Sequence, residues 1–179
     1  MGLLSVGHGT ASAGALRALL RDAGIARVVD VRSAPGSRRN PQFGRSELER
    51  WLPEAGLAYR WEPKLGGWRK PRPDSPNVAL RNGSFRGYAD HMSSAEFRSA
   101  LELLLAEAAR ESVAAMCSER LWWRCHRRLL ADAAVLLHDV DVRHLLHDGR
   151  QEAHRLTEGA RRDDGGLVYD GGPSGRPVG

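Results

Sequence analysis

"SVAAMCSERLWWRCHRRLLADAAVLLHD", Ser112 to Asp139, reads as a strand, a loop and a helix. "VAAMC" is a short, unbroken apolar run, as expected of a strand covered on both faces. From His126 onward, leucines and alanines return at helical spacing. A strand that feeds a helix in this way is half of a parallel crossover unit, and the pattern recurs along the chain. "LLSVGHG" leads into "SAGALRALLRDAGI", where Ser12 is the expected N-cap and Gly24 the stop. "RVVDVR" leads into "GRSELERWLPEAGL", "AYRWEP" follows as a short strand, and "DVRHLL" reads as the last core strand. "SAEFRSALELLLAEAARE" is a further amphipathic helix, with Phe97, Leu101, Leu104, Leu105 and Ala108 on one face. The alternation predicts the α/β class: one domain over residues 1–150, built on a mainly parallel sheet with helices on both faces. In such folds the loops that follow the strands gather at one edge, where ligands bind.

Two segments break the pattern. Residues 64–87 are rich in Gly, Pro and Arg and show no period, which marks a functional or mobile loop. Residues 151–170 read as a polar extension packed on or near the domain, with at most one edge strand, and 171–179 as a disordered glycine-proline tail. A chain of 179 residues can bury a core without disulfides. Its net charge of +5 suits an anionic partner such as a nucleotide or nucleic acid. Lys64 and Lys70 are the only lysines, so the arginine excess also fits a compositional bias. No apolar stretch approaches a membrane span, and "MGLLSVGHGT" lacks the layout of a secretory signal. The expectation is a cytoplasmic protein with reduced cysteines, no membrane partner and no cofactor.

The loop of the opening stretch holds both cysteines of the chain, two tryptophans, Glu119, His126 and the densest arginine cluster. Cys117 falls at the strand end and Cys125 at the helix start. A helix N-terminus favours anions and acidifies thiols, and the neighbouring arginines deepen both effects. Cys117 is the candidate nucleophile or redox thiol, with Glu119 and His126 as acid/base partners. Cys125 is read either as a ligand-facing residue or as a small buried one. The same residues, with His8 or His144, offer a rival four-ligand metal set, although the spacing is not that of a zinc knuckle and no metal ligand is assigned. In "VVDVRSAPGSRRNPQF", Asp30 is read as orienting an imidazole or holding a hydroxyl. Arg32, Arg38, Arg39 and Asn40 are read as anion contacts. In "NGSFRGYADHM", Phe85, Arg86 and Tyr88 have the aromatic-arginine mixture that stacks on bases, or else they are core. His8, flanked by glycines at a strand end, joins the catalytic candidates, and Arg127 is a further anion clamp.

"SVGHGT", "VVDVRSAPGSRRNPQF", "KLGG", "SFRGYADHM" and "MCSERLWWRCHRRLLAD" together resemble the DUF488 family of uncharacterised bacterial and archaeal proteins, over roughly Leu3 to Leu146. The family pattern falls here on His8, Asp30, Arg32, Pro35, Ser37, Arg38, Asn40 and Phe43. It continues on Gly66, Gly67, Phe85, Arg86, Gly87, Tyr88, Asp90, Cys117, Glu119, Cys125, His126 and Arg127. Gly9 departs from it, since the family more often has Ser after the His. The resemblance implies an α/β fold and a functional Cys/Glu/Cys-His-Arg loop, and no particular reaction. The "VDVR" strand and the later cysteine also give a Rossmann-like or rhodanese-like layering at the level of fold alone. Three functions follow: a thiol-dependent enzyme acting on a phosphate-containing ligand, a non-catalytic nucleic-acid-binding module, and a structural or sensory metal-binding protein.

Overall fold

The computed structural model describes residues 2–164 and 166–172. Its strands and helices follow the predicted alternation: β1 (Leu3–Gly7), α1 (Ala13–Asp22), β2 (Arg27–Asp30), α2 (Arg45–Glu54), β3 (Ala58–Trp61), α3 (Gly83–Met92), α4 (Ala95–Ala108), β4 (Val113–Cys117), α5 (Arg127–His138) and β5 (Val142–Leu145). Three strands follow: β6 (Gln151–Ala153), β7 (Ala160–Asp163) and β8 (Gly166–Tyr169). Local chemistry sets the helix starts. Ser12 accepts from the Ala15 N–H, Ser94 from that of Phe97, and Asn82 from those of Ser84 and Phe85.

The main sheet has the order β3-β2-β4-β1-β5-β6, parallel except for β6. Side-chain alternation sorts its residues between two cores. Val6, Val28, Ala114 and Met116 pack with the buried faces of α1 and α2. Leu3, Val29, Val113, Ala115 and Cys117 pack with α3, α4 and α5 on the other side. The chain is thus a single mixed α/β domain with a mainly parallel sheet and helices on both faces.

The strand order positions the site. From β1 the chain leaves across one face towards β2 and β3; from the adjacent β4 it leaves across the other face to β5. Two neighbouring parallel strands whose connections diverge leave a crevice beyond their carboxyl ends. Here that crevice lies past Gly7 and Cys117, which are partners in the β1–β4 register.

The extension holds more structure than one edge strand. β6 pairs antiparallel with β5, and β7 with β8 as a separate two-stranded sheet. The basic "ARRD" of β7 carries no strand-like apolar alternation. Pairing with "GLVY" satisfies its backbone and brings Tyr169 into complete burial against α5. Of the expected tail, residues 173–179 lie outside the described residues.

Candidate functional site

A cavity of about 570 Å3 opens at the crevice. His8, Gly9 and Thr10 after β1 line it, as do Arg32, Ser33, Ser37 and Asn40 after β2 and Cys117, Ser118, Glu119 and Arg120 after β4. His126 completes the wall at the head of α5, with Gly67 and Trp68 from the long irregular segment. Three loops remote in sequence therefore meet here.

The two sulfurs lie on the α5 side of the sheet. Cys117 is 6% exposed and lines the cavity, whereas Cys125 is 3% exposed and sits behind it. His126 Nδ1 is 3.8 Å from Cys117 Sγ and 3.7 Å from Cys125 Sγ. His126 Nε2 donates to the Val31 carbonyl at 2.9 Å, which leaves Nδ1 facing the sulfurs. Burial resists ionisation of Cys125. The Cys117 S–H, the Arg127 guanidinium and His126 outweigh that resistance and hold its thiol well below the usual range. Cys117 is pushed well up, first by the hydrogen bond its S–H donates to Cys125 and then by burial. The pair therefore shares one negative charge, carried by Cys125 and matched by Arg127, whose Nε donates to Cys125 Sγ at 3.3 Å.

Arg127 is 1% exposed and is an internal strut. Nη2 donates to the Glu119 carbonyl at 2.5 Å and Nη1 to Ser5 Oγ at 3.5 Å. Gly7 makes room for it, since a Cβ there would lie 1.9 Å from the Glu119 oxygen and 2.8 Å from Arg127 Nη2. From Ser5 a buried chain continues. Ser5 Oγ and His144 Nδ1 are 2.6 Å apart, His144 Nε2 and His154 Nδ1 3.0 Å, and His154 Nε2 and Asp132 Oδ1 2.8 Å. Arg127, Ser5, His144 and His154 thus form one hydrogen-bonded chain that ends on the Asp132 carboxylate. Asp132 also accepts from the Tyr169 hydroxyl and the Thr157 N–H, each at 2.9 Å. Burial first, then His154 and Arg127, lower His144 to about 3, so its ring is neutral. Trp122 stacks on it with ring centroids 4.1 Å apart.

Asp30 and Arg32, read separately from sequence, are one unit. As i and i+2 they share a side of the strand, and Arg32 Nε and Nη2 meet Asp30 Oδ1 and Oδ2 at 2.8 and 2.6 Å. Tyr59 donates to the same carboxylate at 2.8 Å, and Asp30 itself is fully buried away from the cavity. Arg32 further donates to the Phe43 carbonyl at 2.8 Å and to His8 Nε2 at 3.2 Å. His8 Nδ1 donates to the Gly9 carbonyl at 2.8 Å, so both ring nitrogens are engaged. Burial dominates its surroundings and lowers it to about 4, with Arg32 adding to the effect.

Several expected ligand contacts are placed elsewhere. Arg38 and Arg39 are exposed, and the loop lines the cavity through Ser37 and Asn40. Phe85, Arg86, Tyr88, Cys125 and Arg127 do not line it. Phe85 lies under the Arg128 guanidinium, 5.0 Å from the ring centroid. Arg86 donates twice to the Leu80 carbonyl, at 3.1 and 2.9 Å. Tyr88 is fully buried, with its hydroxyl donating to the Leu65 carbonyl at 2.9 Å. Asp90 accepts from the Arg72 N–H at 2.8 Å, Ser75 Oγ at 2.6 Å and Asn77 Nδ2 at 2.8 Å. Gly87 admits the Arg69 carbonyl, which would lie 2.2 Å from a Cβ. "FRGYAD" is thus a clasp that pins the irregular segment; Tyr88 is core and Phe85 packs half-buried against it.

Cys117, Cys125 and His126 form the one group among the described residues that could hold a metal ion, with ligand atoms within 4.8 Å of one another. Neither His8 nor His144 joins it: the Arg32 donor takes the His8 lone pair, and His144 belongs to the Asp132 chain. Ser5, Asp132 and Tyr169 were not singled out as site residues, and His144 only as a possible metal ligand. One signal was available: Asp132 is the lone carboxylate in an otherwise apolar stretch of helix.

No described helix is long and apolar enough to cross a membrane. No curated protein and no solved structure matches the chain significantly. A family model described as a domain of unknown function, DUF488, matches residues 12–134, more than half of the chain and including both cysteines, His126 and Arg127. By that match the chain belongs to the DUF488 family.

Proposed function

We propose that the protein is a thiol-dependent enzyme that acts on a phosphate-containing ligand of the nucleotide or nucleic-acid class. The observation that carries this reading is the placement of Cys117 on the cavity wall beside His126, whose Nδ1 lies 3.8 Å from its sulfur. A nucleophile needs a neighbouring base, and His126 Nδ1 faces the Cys117 sulfur at 3.8 Å. Cys117 Sγ forms a bond to an electrophilic centre of the ligand, and its proton passes to His126 Nδ1. The displaced group leaves with the bonding electron pair and takes a proton from solvent. His126 and Glu119, both on the cavity wall, are the accompanying acid/base groups. Asp30 and His8 act through Arg32, which they hold in place. Arg120, on the cavity wall, supplies positive charge for the phosphate, and the exposed Arg38 and Arg39, between the lining residues Ser37 and Asn40, add to the charge at its rim.

Iodoacetamide labelling of Cys117, followed by mass spectrometry with and without nucleoside monophosphates, tests this. Labelling slowed by the nucleotide, and slowed in His126→Gln, is the expected result. Slow labelling that is equal under every condition would overturn the reading. A second reading, a bound divalent metal, is favoured by the convergence of two sulfurs and His126 Nδ1. Metal analysis of protein purified without chelators decides it: a folded, metal-free sample excludes that reading.

A further inference from the structure

Trp68 combines features that rarely occur together. It is 84% exposed, lines the cavity, and has a φ of 55°, in the left-handed region that bulky residues avoid. The other tryptophans have uses inside the fold. Trp51, Trp61 and Trp122 donate their indole N–H to Gln42, Arg32 and Glu152, and Trp123 packs edge-on against Trp122. Among the described residues, Trp68 makes no hydrogen bond or ring contact.

The backbone around it is nevertheless firmly held. Ser33 Oγ donates to the Gly67 carbonyl at 2.6 Å. The Arg69 side chain donates to the carbonyls of Gly66 and Pro63, at 3.2 and 3.3 Å. The α3 clasp anchors the segment on either side, through Leu65 and Arg72. A disfavoured backbone conformation persists only where its surroundings impose it, and such positions cluster at ligand sites. Here the surroundings fix the backbone and leave the indole at the cavity with no protein partner.

We propose that Trp68 is the stacking face for the planar base of a mononucleotide whose phosphate lies against the basic side of the cavity. The location of the phosphate rests on the function proposed above; the stacking role rests on Trp68 itself. The cavity of about 570 Å3 is of the size that holds small ligands. Its wall joins an aromatic face to polar Ser37 and Asn40 and to Arg120, which has no ion pair among the described residues. A flat ring with an anionic tail matches that combination. Stacking on an indole is tolerant of base identity, because every base has a π-face.

The test compares AMP, UMP and ribose 5-phosphate by calorimetry on the full chain, as wild type, Trp68→Ala and Trp68→Phe. AMP and UMP should bind within a few-fold of each other and on the order of tenfold tighter than ribose 5-phosphate. Trp68→Ala should abolish that advantage and leave ribose 5-phosphate binding unchanged, while Trp68→Phe keeps most of it. AMP should quench tryptophan emission in the wild type and not in Trp68→Phe. If the advantage survives in Trp68→Ala, this inference fails while the phosphate reading stands. Equal binding of AMP and ribose 5-phosphate to the wild type has the same consequence. If the wild type binds none of the three, both fall.

Discussion

Arg32 and Arg127 are 6% and 1% exposed, and each guanidinium is divided among three partner residues. Arg38, Arg39 and Arg120, a short distance along the same loops, are exposed and form no ion pair among the described residues. Identical side chains in adjacent sequence thus do opposite work. The buried pair is the skeleton of the site, fixing Asp30, His8 and Cys125, and has few donors left for a ligand. The exposed set contributes little to the fold and keeps its donors for something outside it. The contrast teaches that an arginine-rich motif is not by itself an anion site, because burial decides which guanidinium is available.

Removing a buried strut should have the largest effect. Arg127→Met leaves the Cys125 charge unmatched and the Glu119 carbonyl and Ser5 without a donor. It should lower unfolding free energy by about 3–5 kcal/mol in urea titrations, and Cys125 should lose its acidity. A loss below 1 kcal/mol would make Arg127 no different from a surface arginine.

Acid should weaken the same interior. His8 and His144 ionise near 6.5 when unfolded, and only near about 4 and about 3 when folded. The unfolded chain therefore binds protons that the native chain refuses. Stability is complete above pH 6.5, falls as pH drops through the interval, and levels off below about 3 as far as these groups are concerned. At about 1.4 kcal/mol for each pH unit between the two states, His8 alone contributes roughly 3 kcal/mol. Urea midpoints measured from pH 7 to 4 should show this slope, and His144→Gln should flatten it. An unchanged slope in that variant would remove His144 from the account.

Tyr169→Phe deletes one donor to the buried Asp132 carboxylate. It should cost about 1–2 kcal/mol by chemical denaturation, with the fold intact. The exposed arginines give the smallest change. Arg38→Ala with Arg39→Ala should move stability by no more than about 0.5 kcal/mol. If they contact phosphates, the same double change should reduce the salt dependence of oligonucleotide binding by roughly two counterions. An unaltered slope would mean that their exposure serves no nucleic-acid contact.

The fold was legible because its signals are local. Five strand-like runs alternate with helical periods, and Ser12 and Gly24 mark the ends of a helix where the caps are found. The cavity was legible only in outline, through the rule that strand-end loops converge. Which side chains face inward was not, because "FRGYAD" reads equally as stacking residues or as core until the Leu65, Leu80 and Arg72 backbone atoms it grips are in view. The buried chain from Ser5 to Asp132 was hidden for a different reason. Ser5 and His144 are 139 residues apart, so no spacing announces them, and only the β1–β5 register makes them neighbours. Trp68 left no periodic signal either, since its meaning lies in a backbone angle and in the absence of protein partners.

The family match stops at residue 134, yet the carboxylate of Asp132 is capped by His154, Thr157 and Tyr169, all beyond that border. A fragment trimmed to the matched region would retain the acid and discard all three of these hydrogen-bond donors. It would also lose β1 and β5 altogether and uncover the edge of β4. For this chain, the smallest piece that can be handled in isolation is therefore set by electrostatic closure rather than by sequence likeness, and it reaches at least to Tyr169.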